Sequence, residues 1–128
     1  MVEGPVNPLR AYLESWHRQD IDGACEVLDD GCVVVDSHGT VLRGPAAVAE
    51  WMSAWVSAGG VVHDLAVTEE TEGDGVVTAQ WVLQVTWQGV EATVEGRSVA
   101  HVREDRITYL RDYATTGPLG DWDGTWQR

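Results

Sequence analysis

The chain reads as a single α+β domain in which three short helices precede a meander of long strands, forming a cone-shaped enclosure. Two observations predict this. Apolar residues recur with a period near 3.6 up to residue 58, and with a period of 2 after residue 60. Glycine-containing turns then divide the second half into strands too long for a flat, two-sided sheet. An antiparallel sheet with helices on one face has a dry side and an exposed side. Strong curvature turns the dry side into a pocket.

Helix 1 begins at Asn7-Pro8, a good N-cap followed by a residue suited to the first helical position. Leu9, Tyr12, Leu13 and Trp16 then share one face. Helix 2 starts after Asp20, carries Ile21, Ala24, Cys25 and Leu28 inward, and is expected to stop at Asp29-Asp30-Gly31. A short strand from Cys32 to Asp36 follows, with a turn at Ser37-His38-Gly39 and a return through Val41 and Leu42. Helix 3 is opened by Gly44-Pro45 and closed by Gly59-Gly60. Its buried stripe is Val48, Trp51, Met52, Trp55 and Val56.

Alternation then sets Val61, His63, Leu65 and Val67 on one strand face. After the turn at Gly73-Asp74-Gly75, the strand from Val76 to Trp87 aligns Trp81, Leu83, Val85 and Trp87. Gln88-Gly89 signals a hairpin, a third long strand runs from about Ala92 to Val102, and Ile107 to Ala114 make the last. The core spans about residues 8–115, and the tail beyond it is rich in Gly, Asp and Trp. There are no repeats and no linker, so one domain accounts for residues 1–128.

Composition narrows the partners. Twenty-one acidic against eight basic residues leave a net charge of −13, which argues against a nucleic-acid groove or an anionic membrane surface. The segment Met1 to Pro8 lacks the basic and apolar regions of a signal peptide, and no stretch has the length and apolarity of a membrane span. The cytoplasm is therefore the expected location. Cys25 and Cys32 have no metal-ligand spacing and read as reduced thiols, so no metal or other cofactor is expected. Phe is absent while Trp occurs seven times, so tryptophan must supply the large aromatic packing.

Particular stretches carry a resemblance. The run from Tyr12 to Gly23 (YLESWHRQDIDG), then Leu28-Asp29-Asp30 and Val33 to Asp36, resembles the opening of bacterial ketosteroid isomerases. More broadly it is similar to the nuclear-transport-factor-2-like superfamily, with its SnoaL-like polyketide cyclases and limonene-epoxide-hydrolase-like enzymes. The ending from Asp105 to Tyr113 (DRITYLRDY) resembles the last strand of that superfamily.

The resemblance implies roles for three residues. Tyr12 falls where the isomerases keep a tyrosine that donates to the substrate carbonyl oxygen. Asp36 falls at their general base. The position of their second oxyanion donor falls near Ser98 or Ala100, and neither is a carboxylate. Asp112 matches the last-strand aspartate of the epoxide hydrolases, whose Arg-x-Asp pair has no counterpart in the stretch from Thr78 to Leu83. The resemblance also implies a homodimer, for which the outer-face residues Val82, Gln84, Thr86, Val99 and His101 are suited.

Asp36, Tyr12 and Asp112 are thus the candidate catalytic residues. Trp16, Trp51, Trp55, His63, Trp81, Leu83 and Leu110 are the candidate wall of a pocket for a small hydrophobic molecule. An aspartate at the mouth of an apolar cavity loses solvation, so its pKa rises toward neutrality and it can take and return a proton. Tyr12 would then stabilise the enolate oxygen. Each residue also has a structural reading: Asp36 as the cap of a turn, Tyr12 as helix packing, and Asp112, which follows Arg111, as part of a surface or interface ion pair. His38 would flank the entrance, His101 would face outward, and Arg97 would be solvated or interfacial. The leading expectation is a cofactor-independent isomerase, cyclase or dehydratase acting on a hydrophobic carbonyl compound. The alternatives are a carrier or sensor using the same pocket, and a structural dimerisation module with the pocket filled.

Overall fold

The computed structural model describes residues 7–115 and Gly124. The tail expected beyond residue 115 lies otherwise outside the described residues, as does the segment before Asn7. Helices α1 (Pro8–Arg18), α2 (Ile21–Glu26) and α3 (Pro45–Ser57) accompany strands β1 (Leu28–Val35), β2 (Val41–Arg43), β3 (Val61–Gly73), β4 (Val76–Trp87), β5 (Val90–Arg103) and β6 (Arg106–Ala114). The six strands form one curved, open sheet in the order β2-β1-β6-β5-β4-β3. Neighbours run antiparallel except β1 and β6, which run parallel. That pair brings the end of the first strand beside the last one, so residues far apart in sequence reach the same end of the sheet.

Local chemistry sets the boundaries. Asn7 Oδ1 accepts from the Arg10 N–H, and Asp20 Oδ1 accepts from the Gly23 N–H, capping α1 and α2. Pro45 opens α3 behind Gly44. Both central residues of the turns Asp74-Gly75 and Gln88-Gly89 have positive φ, the left-handed geometry that matches strand twist in two-residue hairpins.

Two boundaries differ from the sequence reading. The acidic run Asp29-Asp30-Gly31 does not end helix 2; it lies inside β1, which starts at Leu28. Leu28 is fully buried opposite Ile107. Burying that leucine outweighs the turn signal, and the turn residues are absorbed as an irregularity between Leu28 and Val33. Asp29 Oδ2 accepts from the Gly31 N–H within it. The second difference is in β3, where the register shifts between Val62 and Asp64. His63 is the extra residue, and the parity of the strand changes across it.

Leu9, Leu13, Val48 and Met52 from the helices pack with Leu28, Val34, Val77, Ala79, Ala100, Ile107 and Leu110 from the concave face of the sheet. A Leu or Ile side chain fully buried in such a core contributes about 1.5–3 kcal/mol. Toward the open end of the sheet this packing gives way to a cavity.

A candidate active site in the Trp-walled cavity

The cavity has a volume of about 400 Å³, within the usual range for small-molecule sites. Its walls are largely apolar. Trp16 from α1, Trp51 and Trp55 from α3, and Trp81, Leu83, Val85 and Trp87 from β4 supply most of them. Leu13, Val62, Leu65, Val94 and Ala114 fill between the rings. The polar groups are Tyr12 from α1, Asp112 from β6, and Asp36, Ser37 and His38 at the end of β1 and its loop.

The tryptophans hold one another. Trp16 sets its ring edge-on to Trp51 and Trp55, at centroid distances of 5.3 and 5.8 Å. Trp55 stacks on Trp87 at 5.8 Å with the planes 5° apart. Offset stacks and T-shaped contacts are the preferred aromatic geometries, so the wall is stiff. Trp51 and Trp55 are therefore half-buried lining residues, whereas their stripe-mates Val48 and Met52 are fully buried.

Tyr12 is 2% exposed, and its hydroxyl has no hydrogen-bond partner among the described residues. Burial holds its pKa far above the ordinary tyrosine value, and the nearby Asp112 charge adds to the effect. The group therefore stays protonated, a donor facing the cavity. Leaving a buried hydroxyl unpaired costs about 1–3 kcal/mol, which a ligand acceptor would recover.

Asp112 is held from behind. Its Oδ1 accepts from the Ser98 hydroxyl at 2.6 Å, and the Ser98 oxygen accepts from the Trp81 indole N–H at 3.0 Å. Burial pushes the Asp112 pKa up to about 6, the Ser98 hydrogen bond opposes that, and the Asp36 charge adds to it. Asp36 has a different setting. Its Oδ1 accepts from the backbone N–H groups of His38 and Thr40, at 2.8 and 3.0 Å, so one oxygen caps the loop after β1. Asp36 thus caps the turn and also lines the cavity.

Tyr12, Asp36, Asp112, Trp16, Trp51, Trp55, Trp81 and Leu83 thus surround one cavity. Two candidates do not join them. His63 is the bulged residue of β3, is exposed, and its Nε2 meets the Thr86 hydroxyl at 2.6 Å away from the cavity lining. Leu110 is fully buried in the core, paired between Val34 and Ala100. It does not line the cavity, and the residues of that strand face that reach it are Asp112 and Ala114. His38 lines the mouth, His101 is exposed with its ring edge-on to Tyr109, and Arg97 pairs with Gln80 and Glu69. The sequence reading missed Ser98 as a partner of Asp112, because the pair is made by the β5–β6 register Ser98↔Asp112, which no local pattern marks. Among the described residues no group of three or more His, Cys, Asp or Glu side chains converges on a point where a metal could sit, and no helix is long and apolar enough to cross a membrane.

The arrangement has relatives. A crystal structure from Catenulispora acidiphila, described as having a ketosteroid-isomerase-like fold and bound to trimethylamine, is similar with a TM-score of 0.76 and 18% identity, over 83% of each chain. An epoxide hydrolase of the LEH-like type from M. tuberculosis is similar with a TM-score of 0.74 and 18% identity, over 84% of this chain and 80% of that one. A protein from Xanthomonas campestris pv. campestris, provisionally named a polyketide cyclase, is similar with a TM-score of 0.69 and 23% identity, over 83% and 86%. At these identities the likeness is one of fold. No curated protein matches. The model of the SnoaL-like domain matches residues 9–110, from the first turn of α1 into β6, and so the chain belongs to the SnoaL-like domain family.

Proposed function

We propose that the protein is a small-molecule enzyme of the isomerase or cyclase type that moves a proton on a hydrophobic carbonyl compound. The observation that carries this reading is the pairing in one apolar cavity of a buried Tyr12 hydroxyl, without a partner among the described residues, with a desolvated Asp112 carboxyl. Relatives of the same fold named as an epoxide hydrolase and a polyketide cyclase make the reading a natural one for the family.

The chemistry follows from the two groups. The Asp112 carboxylate takes a proton from the carbon next to the carbonyl. The electron pair of that C–H bond moves into the enolate, and its oxygen accepts a hydrogen bond from Tyr12. The protonated Asp112 then returns the proton, either to another carbon of the same conjugated system or to the alkoxide left when the enolate carbon adds to a second carbonyl of the substrate, closing a ring as that C=O π bond breaks. A pKa of about 6 suits both halves, since a group titrating near the working pH can take and give a proton with similar ease. Asp36 is the second carboxylate at the mouth, and its charge helps keep the Asp112 pKa up.

The test begins with apolar ketones, lactones and polyketide-like compounds, screened by quenching of tryptophan fluorescence. For any compound that turns over, Asp112→Asn and Tyr12→Phe are each expected to lower kcat by about 10²-fold or more, with binding retained. Binding without turnover of any hit would instead make the protein a carrier. Turnover lost in Asp36→Asn but kept in Asp112→Asn would move the base to Asp36.

A further inference from the structure

Ser98 is fully buried, and its hydroxyl has two neighbours among the described residues, Trp81 and Asp112. The direction of both bonds is fixed by chemistry. An indole nitrogen can only donate, so the Trp81 N–H occupies a lone pair of the Ser98 oxygen. The single Ser98 hydrogen is left for Asp112 Oδ1. Were Asp112 to donate toward Ser98, the serine hydrogen would be stranded in a buried site, which is costly.

The backbone is arranged for this. Trp81 is the register partner of Gly96 on β5, and Ser98 is the partner of Asp112 on β6. A Cβ at position 96 would stand 2.5 Å from the Trp81 ring, so only glycine lets the indole lie across β5 and reach Ser98.

We propose that Trp81 and Ser98 are positioning residues that keep Asp112 Oδ1 an acceptor and so confine the exchangeable proton to Oδ2. This rests on the reading of Asp112 as the acid–base group. A carboxyl free to carry its proton on either oxygen presents a mixture of geometries to the substrate. One whose Oδ1 is already hydrogen-bonded presents a single basic oxygen. The same bond favours the ionised form and holds the midpoint below the value that burial and Asp36 alone would set.

The charged and titratable groups around Asp112 are Asp36 and His38 at the mouth and Tyr12 from α1. Arg111 and Tyr113, its neighbours in β6, are exposed outside the cavity lining. The experiment needs no substrate. The Asp112 side-chain carboxyl is followed by carbon NMR and the Trp81 indole N–H by proton–nitrogen NMR, across pH 4–8, in a His38→Gln background that removes the imidazole from the record.

The expected result is a Trp81 N–H signal that titrates with the same midpoint as Asp112 and becomes flat in Asp112→Asn. Ser98→Ala should raise the Asp112 midpoint by about one pH unit and uncouple Trp81 from it. Ser98→Thr should restore both. A Trp81 signal indifferent to the Asp112 titration in the otherwise unaltered protein overturns the relay, even if Ser98→Ala fails to fold. A coupled signal whose shared midpoint lies near 4 supports the relay and sinks the acid–base reading instead.

Discussion

Asp112 is a carboxyl held in a desolvated place, and the cost is measurable as stability. Its pKa in the fold is about 6, against an ordinary value of 3.8. The folded state therefore binds the proton more tightly than the unfolded chain does. The contribution of Asp112 to stability is therefore fully present below about pH 4, is lost as pH rises from about 4 to about 6, and stays absent above that. The full difference is on the order of 2–3 kcal/mol, reduced in practice by the partial solvent access of the side chain. Asp112→Asn keeps an oxygen to accept from Ser98 and cannot ionise. It should melt higher than the parent protein at pH 8, with the gain shrinking to nothing near pH 4. Thermal unfolding across that range checks it, and an unchanged or lower melting point at pH 8 would show that the carboxylate is not desolvated. Tyr12 belongs to the same class: its hydroxyl is buried without a partner among the described residues, so Tyr12→Phe should leave stability unchanged or raise it by about 1 kcal/mol. Residues whose removal helps the fold are where a structure has been kept for something else.

At the scale of elements, what periodicity could reveal and what it could not are separated by cross-strand partners. Helices α1 and α3 were legible because their caps and apolar spacing are local, at Asn7-Pro8 and Gly44-Pro45. The alternation that aligned Trp81, Leu83, Val85 and Trp87 was equally local, and all four line the cavity. His63 was misread because a bulge leaves no mark in the alternation of one strand; it appears only when Val62 and Asp64 are paired with consecutive residues of β4. Leu28 was assigned to a helix because its strand partner, Ile107, lies far along the chain. The support of Asp112 by Ser98 was hidden for the same reason. Gly96 shows how a strand carries such long-range information. Gly96→Ala would put a methyl group 2.5 Å from the Trp81 ring and 2.7 Å from the Tyr113 carbonyl oxygen. Backbone cannot give way cheaply there, so the indole must swing off Ser98. The variant should lose about 1–3 kcal/mol of stability and show altered tryptophan fluorescence, as read by chemical denaturation. A silent Gly96→Ala would mean that the indole has room the packing does not suggest.

At the scale of the whole molecule, the charge of the chain bears on what the cavity would accept. The sequence carries a net charge of −13, and the cavity has that sign: among the described residues Asp36 and Asp112 line it, and no Lys or Arg does. An anionic ligand would meet both carboxylates behind largely apolar walls, where screening by salt is weak. At an effective dielectric constant of about 20 and separations of about 6–10 Å, each such pair costs roughly 2–3 kcal/mol, so even partial screening leaves at least a tenfold penalty. A carboxylic acid and its methyl ester with the same apolar body separate this term from packing. At pH 8 the ester should bind at least tenfold more tightly, as measured by tryptophan fluorescence. Lowering the pH to 5 should narrow the gap, because the Asp112 pKa is raised to about 6 and its charge is lost below that. Asp112→Asn should narrow it at pH 8 without any change of pH. Equal or tighter binding of the acid at pH 8 would mean that a cation outside the lining compensates the carboxylates. In that case the preference for neutral carbonyl compounds would fall, while the cavity itself would stand.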